Sequence, residues 1–160
     1  MFNRRLLAIS LLTVSAMLAA GQTAPGQDAA AETDPVVVAL HDRATRFLEG
    51  VSMGEARTAY PKLLAGSPLL KQTDAIKELV QQTDELGTKY GRSWAFERIS
   101  AKRAGKDLVL MKYLYKCESF PVVWYFTFYR TPATGETGTE NGTWRVVIVR
   151  FDTQLELLGL

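Results

Sequence analysis

Cysteine and histidine are nearly absent from this sequence, which has one of each, Cys117 and His41. One cysteine makes no internal disulfide, and its expected place is a buried, small apolar position. One histidine, one cysteine and scattered carboxylates supply no metal-ligand spacing, so no metal is expected. The sequence also lacks a Gly-rich phosphate loop and a Gly-x-Ser-x-Gly nucleophile turn, and no cofactor is expected. An excess of charge is missing too. Setting Arg4 and Arg5 aside, the 19 Lys+Arg fall to 17 and equal the 17 Asp+Glu, all of which lie beyond residue 20. That balance argues against nucleic-acid binding driven by phosphate neutralisation.

Long hydrophobic runs are missing except at the N-terminus. Residues 1–5 carry Arg4 and Arg5, residues 6–20 are apolar, and Ala19, Ala20 and Gly21 follow as small residues. This is the layout of a secretory signal peptide, and the run is shorter than the roughly 20 residues of a spanning helix. Cleavage is expected near Ala20, with no stable membrane anchor. No cysteine follows the run, so no lipid anchor is expected either. Residues 21–34 contain no large apolar side chain and read as a flexible tether. Residues 35–160 are long enough for one core and are expected to form a single domain, periplasmic or secreted.

Within that domain the hydrophobic rhythm changes near Gly91. Before it, Asp34-Pro35 gives a cap and a proline start, and Val37, Leu40, Ala44, Phe47, Leu48 and Val51 recur at helical spacing. Met53, Ala56, Tyr60, Leu63 and Leu64 predict a second, shorter helix, kinked or divided by Pro61. Ser67-Pro68 predicts the start of a third, carried by Leu69, Thr73, Ile76, Val80, Thr83, Gly87 and Tyr90 and ending between Gly87 and Gly91.

Beyond Gly91 the period becomes two. Strands are predicted over residues 93–102, 107–119, 122–131 and 142–151, joined as an antiparallel meander, with a Thr, Gly and Glu-rich hairpin loop over 132–141 and a short amphipathic tail after Phe151. In the third strand Trp124, Phe126 and Phe128 share one face, and Val123, Tyr125 and Tyr129 share the other. In the fourth, strict alternation sets Trp144, Val146 and Ile148 opposite Val147, Val149 and Phe151. Three helices cover one face of such a sheet, so the other is expected to meet a second copy, giving a homodimer through the sheet. The fold class is α+β, with N-terminal helices packed on a curved four-stranded antiparallel sheet, cone-like in outline.

That order of elements, together with Tyr90-Gly91, the stretch from Tyr113 to Glu118, the series from Trp124 to Tyr129, and Trp144 with Phe151 and Leu155, resembles the nuclear transport factor 2-like superfamily. It is similar to small exported bacterial members without an assigned activity. The resemblance covers residues 35–160. It implies a sheet curled around a pocket closed by helices, and members range from isomerases and dehydratases to binding or assembly modules, so fold alone decides no function.

The side chains then offer two readings. Tyr113, Tyr115, Trp124, Phe126 and Phe128, with Arg130 near the rim, would suit a small apolar or ring-containing ligand, because aromatic rings combine large burial with few polar tips. This predicts a non-enzymatic module that binds such a ligand or an envelope protein. The alternative is an isomerase or dehydratase using His41 as general base with a pocket tyrosine. His41 sits at the border of the first helix's apolar stripe, whereas Asp42 turns to the polar side, so the two are no dyad. A third outcome is a cone filled by its own side chains. Arg98, Arg130 and Arg150 are expected to reach solvent at the strand rims, and Glu97 and Glu118 to pair with basic neighbours across strands.

Overall fold

The computed structural model describes residues 34–131 and 142–158. The expected signal peptide, the expected tether apart from Asp34, and the loop predicted over 132–141 lie outside those residues. Asp34 Oδ1 accepts the Val36 N–H at 2.9 Å, and Pro35 opens helix α1 (Pro35–Ser52). The six apolar positions of the predicted stripe, Val37 to Val51, are all buried. Helix α2 (Ala56–Leu63) tolerates Pro61 and buries Ala56, Ala59, Tyr60 and Leu63. Met53, grouped with them in the sequence, instead caps α1 and is 71% exposed.

Ser67 acts as the predicted cap, but it opens only a 3-10 turn (Pro68–Lys71). Helix α3 (Thr73–Tyr90) starts afresh after Gln72. It fully buries only Thr83 and Leu86, so its hold on the core is lean. Gly91 ends it at φ +82°, a conformation that costs a residue with a Cβ.

Strands β1 (Ser93–Ala104), β2 (Leu108–Cys117), β3 (Val122–Arg130) and β4 (Trp144–Asp152) form an antiparallel meander in the order β1-β2-β3-β4. The sheet is curved and unclosed, with β1 and β4 as its edges, and a 3-10 turn (Leu155–Leu158) follows. Its inner face, set by Val109, Met111, Tyr113 and Tyr115 of β2 and Val122, Trp124, Phe126 and Phe128 of β3, packs on the buried stripe of α1. Strict alternation fails in β4. Phe128 pairs with Val146 and Thr127 with Ile148, so Val147 is an extra, bulged residue. The bulge turns both Val146 and Val149 inward and leaves Ile148 48% exposed, correcting the face predicted for Ile148.

Arg43 of α1 fastens the helices to β4. Its guanidinium donates to Leu63 O at 2.5 and 3.0 Å, to Ala65 O at 2.9 Å and to Trp144 O at 3.1 Å. Carbonyls left open at the end of α2 thus acquire a charged donor. Among the described residues no helix is long and apolar enough to cross a membrane.

Candidate functional site

The aromatic residues singled out in the sequence are brought together, and they fill the space between sheet and helices. Trp124, Phe126, Phe128 and Tyr113 are at most 1% exposed. Phe47 of α1 meets Trp124 and Phe126 edge-on at centroid distances of 5.3 and 5.8 Å, and Tyr113 meets Phe126 edge-on at 5.6 Å. These are the geometries that aromatic rings prefer in a packed core. Trp124 Nε1 is buried there without a hydrogen-bond partner. Arg130 stands apart from the set. It is held by Asp107, its Nη2 lying 2.6 Å from the carboxylate, and its guanidinium faces the Trp144 ring at 5.8 Å.

Tyr115, the remaining aromatic candidate, occupies a different environment. It lines a cleft of about 440 Å³ bounded by the ends of α1, α3 and β2 and the start of β1. The buried residues of this cleft are Val51, Thr83, Leu86, Tyr115 and Cys117, and its rim includes Asp84, Gly87, Arg92 and Ser93. Thr83 Oγ1 donates to Leu79 O at 2.7 Å and accepts from Tyr60 Oη at 2.9 Å, which fixes its rotamer. Burial pushes up the pKa of the Cys117 thiol and of the Tyr115 phenol, so both are neutral at ordinary pH. The lining sets Ser52, Asp84, Arg92 and Ser93 beside Val51 and Leu86, so the cleft is as polar as it is apolar.

His41 is half-buried, at the seam between α1 and the sheet, and its Nδ1 lies 2.7 Å from Tyr113 Oη. Oη carries one proton and has a second acceptor in reach, Met111 Sδ at 3.7 Å. An imidazole nitrogen accepts far better than a thioether, so we assign that proton to the His41 bond and the imidazole proton to Nε2. Burial first, and then the charge of Arg98, pushes the His41 pKa below its ordinary value. Arg98 stands opposite Tyr113 in the β1–β2 register, on the inner face. Burial pushes the Tyr113 phenol up to about 12. The result is a neutral base joined to a neutral phenol beside a cation.

Arg98, expected at a strand rim, and Arg43 both act inward, through tertiary approach and strand register that sequence spacing does not carry. Thr83 did leave a signal, a hydroxyl at an apolar-stripe position. Glu97 pairs across strands as expected, with Lys116 Nζ at 2.9 Å, whereas Glu118 accepts the Arg92 backbone N–H at 3.3 Å. Arg150 stacks on Tyr125, its guanidinium 4.5 Å from the ring centre. No family model matches the chain, and no curated protein or solved structure matches it.

Proposed function

We propose that this chain is an exported, non-enzymatic binding module that takes a small, ring-containing or apolar ligand in the cleft beside Tyr115. The N-terminal charge-and-apolar pattern supports export, and the helices-first order over an unclosed curved sheet supports a place in the nuclear transport factor 2-like superfamily. One observation carries the binding reading. The cone interior is filled by its own rings, and the cleft of about 440 Å³ at its end combines Val51 and Leu86 with the polar tips of Tyr115 and Cys117 and with Asp84, Arg92 and Ser93 at its rim.

Gly87 gives a clean test. It lines the cleft, and a Cβ built on it meets no atom within 4 Å. Gly87→Phe therefore obstructs the cleft without a steric clash at Cβ, and it replaces a helix-weakening residue. Native mass spectrometry of the protein purified from its own cells is expected to find a small-molecule adduct on the wild type that Gly87→Phe loses. An adduct that survives the substitution, or a wild type that carries none, overturns the reading.

A second reading has its own observation, the 2.7 Å contact between His41 and Tyr113. Turning the Tyr113 proton to Met111 Sδ would free the Nδ1 lone pair to take a proton next to a carbonyl, the isomerase or dehydratase alternative. Exchange of α-hydrogens in a panel of carbonyl compounds in deuterated water tests it. Exchange lost in His41→Gln supports proton transfer, and exchange indifferent to that change removes it.

A further inference from the structure

The face of the sheet turned away from the helices segregates charge. Cross-strand register sorts its side chains into rows. Glu97 and Asp152 stand in one row, with Leu114 and Val123 between them. The next three rows hold Lys112, Tyr125 and Arg150, then Lys102, Leu110, Thr127 and Ile148, then Leu108, Tyr129 and Arg145. Those rows contain four cations and no carboxylate, in a chain that is formally neutral beyond residue 20.

The apolar members of the same rows stand out from the surface. Leu110 and Tyr129 are each 40% exposed and Ile148 is 48% exposed. Arg150 and Lys112 lie against the Tyr125 ring at 4.5 and 5.8 Å, so that ring presents cations rather than a bare apolar face. The cleft beside Tyr115 lies elsewhere, at the ends of α1, α3 and β2. A protein partner of the usual kind is gripped by anchors in pockets, and this face offers protruding side chains among cations instead. A symmetric pairing of two such faces gathers eight cations and four carboxylates into one contact, a net excess of like charge, because an isologous contact repeats every charge.

We infer that this face docks peripherally on an anionic lipid surface. Headgroup phosphates meet Lys102, Arg145 and Arg150, while Leu110, Tyr129 and Ile148 enter the interfacial layer. Lipid headgroups rearrange to suit the cations, so no preformed pocket is needed. The inference is independent of any ligand in the cleft beside Tyr115, which opens at a different part of the molecule.

Co-sedimentation of the protein purified from cells with vesicles tests this. Vesicles of phosphatidylcholine containing phosphatidylglycerol are expected to bind the protein, and to bind it less as salt is raised. Pure phosphatidylcholine vesicles give the baseline for any contribution of the apolar N-terminus. Each surface cation contributes about five-fold in partitioning, so Lys102→Glu with Arg150→Glu is expected to lower binding by about 25-fold or more. Both residues are exposed, so the fold should tolerate the changes. Ile148→Ser is expected to weaken the binding that remains at high salt. Lys71→Glu makes the same kind of charge change on the helix side and should leave binding within about two-fold, the screening range of a remote surface charge. Binding that ignores phosphatidylglycerol, or that falls as far in Lys71→Glu as in the double variant, overturns the inference. So does a failure to bind either vesicle, which would leave the face to an acidic protein.

Discussion

Tyr113 Oη and His41 Nδ1 approach to 2.7 Å with their rings nearly parallel, the planes 4° apart. The two residues are 72 positions apart in the chain, and the contact closes the seam between α1 and β2. Tyr113 is fully buried and cannot leave, whereas His41 is half-buried and faces the charge of Arg98. With the phenol as donor the bond needs a neutral imidazole, since a protonated one can only donate to Oη with the phenol proton turned to Met111 Sδ.

That requirement sets a pH dependence. Burial and then Arg98 push the folded pKa of His41 below its ordinary 6.5, so the unfolded chain binds a proton more readily than the folded one. The contribution of this histidine is complete above about pH 6.5, declines as pH falls toward its folded pKa, and is constant below that. Urea midpoints measured between pH 5 and 7.5 are expected to fall with falling pH in the wild type. The fall should be smaller in His41→Gln, and an equal slope in the two proteins would refute the assignment.

Tyr113→Phe separates the bond from the burial. The ring stays, the phenolic donor goes, and a buried acceptor is left short of a partner at a cost of about 1–3 kcal/mol. Burial and Arg98 remain, but loss of the donor removes a bond made only by the neutral imidazole, so the His41 pKa should rise in the variant. Because His41 is the only histidine, its ring resonances in a pH titration report this directly. A lower pKa in Tyr113→Phe would reverse the assigned direction of the bond.

Much of the scaffold was legible in the sequence, since α1 and the four strands are set by local rhythm and strong punctuation. Asp34-Pro35 and Gly91 bound their elements through backbone chemistry that any reader of the sequence can apply. The start of α3 was misread because Ser67-Pro68 caps a single 3-10 turn as readily as a long helix. Ile148 was placed on the wrong face because the bulge at Val147 is a property of two strands and not of one. The aromatic set was legible as a group, but whether rings enclose a cavity or fill it depends on what α1 inserts, and Phe47 fills it.

Arg43 is expected to be among the most sensitive charged positions. Its guanidinium serves carbonyls of Leu63, Ala65 and Trp144 at once, and hydrogen bonds from a charged donor contribute about 1.5–3 kcal/mol each to stability. These bonds share one side chain and are not additive, so Arg43→Met should cost about 2–4 kcal/mol in chemical denaturation. Arg43→Lys keeps the charge and loses the fork, and it should recover less than half of the loss. Full recovery by lysine would mean that charge alone matters there.

Two glycines four residues apart should respond in opposite directions to alanine. Gly91 sits at φ +82°, and a Cβ there would lie 2.8 Å from Glu118 Cβ, closer than carbon atoms pack. Gly91→Ala therefore combines backbone strain with a clash against the β2–β3 connection and should destabilise by about 1–3 kcal/mol. Gly87 lies within α3 at an ordinary φ and has open space where a Cβ would go. Gly87→Ala should stabilise by about 0.5–1 kcal/mol through helix propensity. Thermal unfolding of the two variants beside the wild type should place one Tm on each side of the parent. A Gly91→Ala protein as stable as the parent would mean that the end of α3 relaxes, and the tight approach of Gly91 to Glu118 would then not be what fixes the turn into β1.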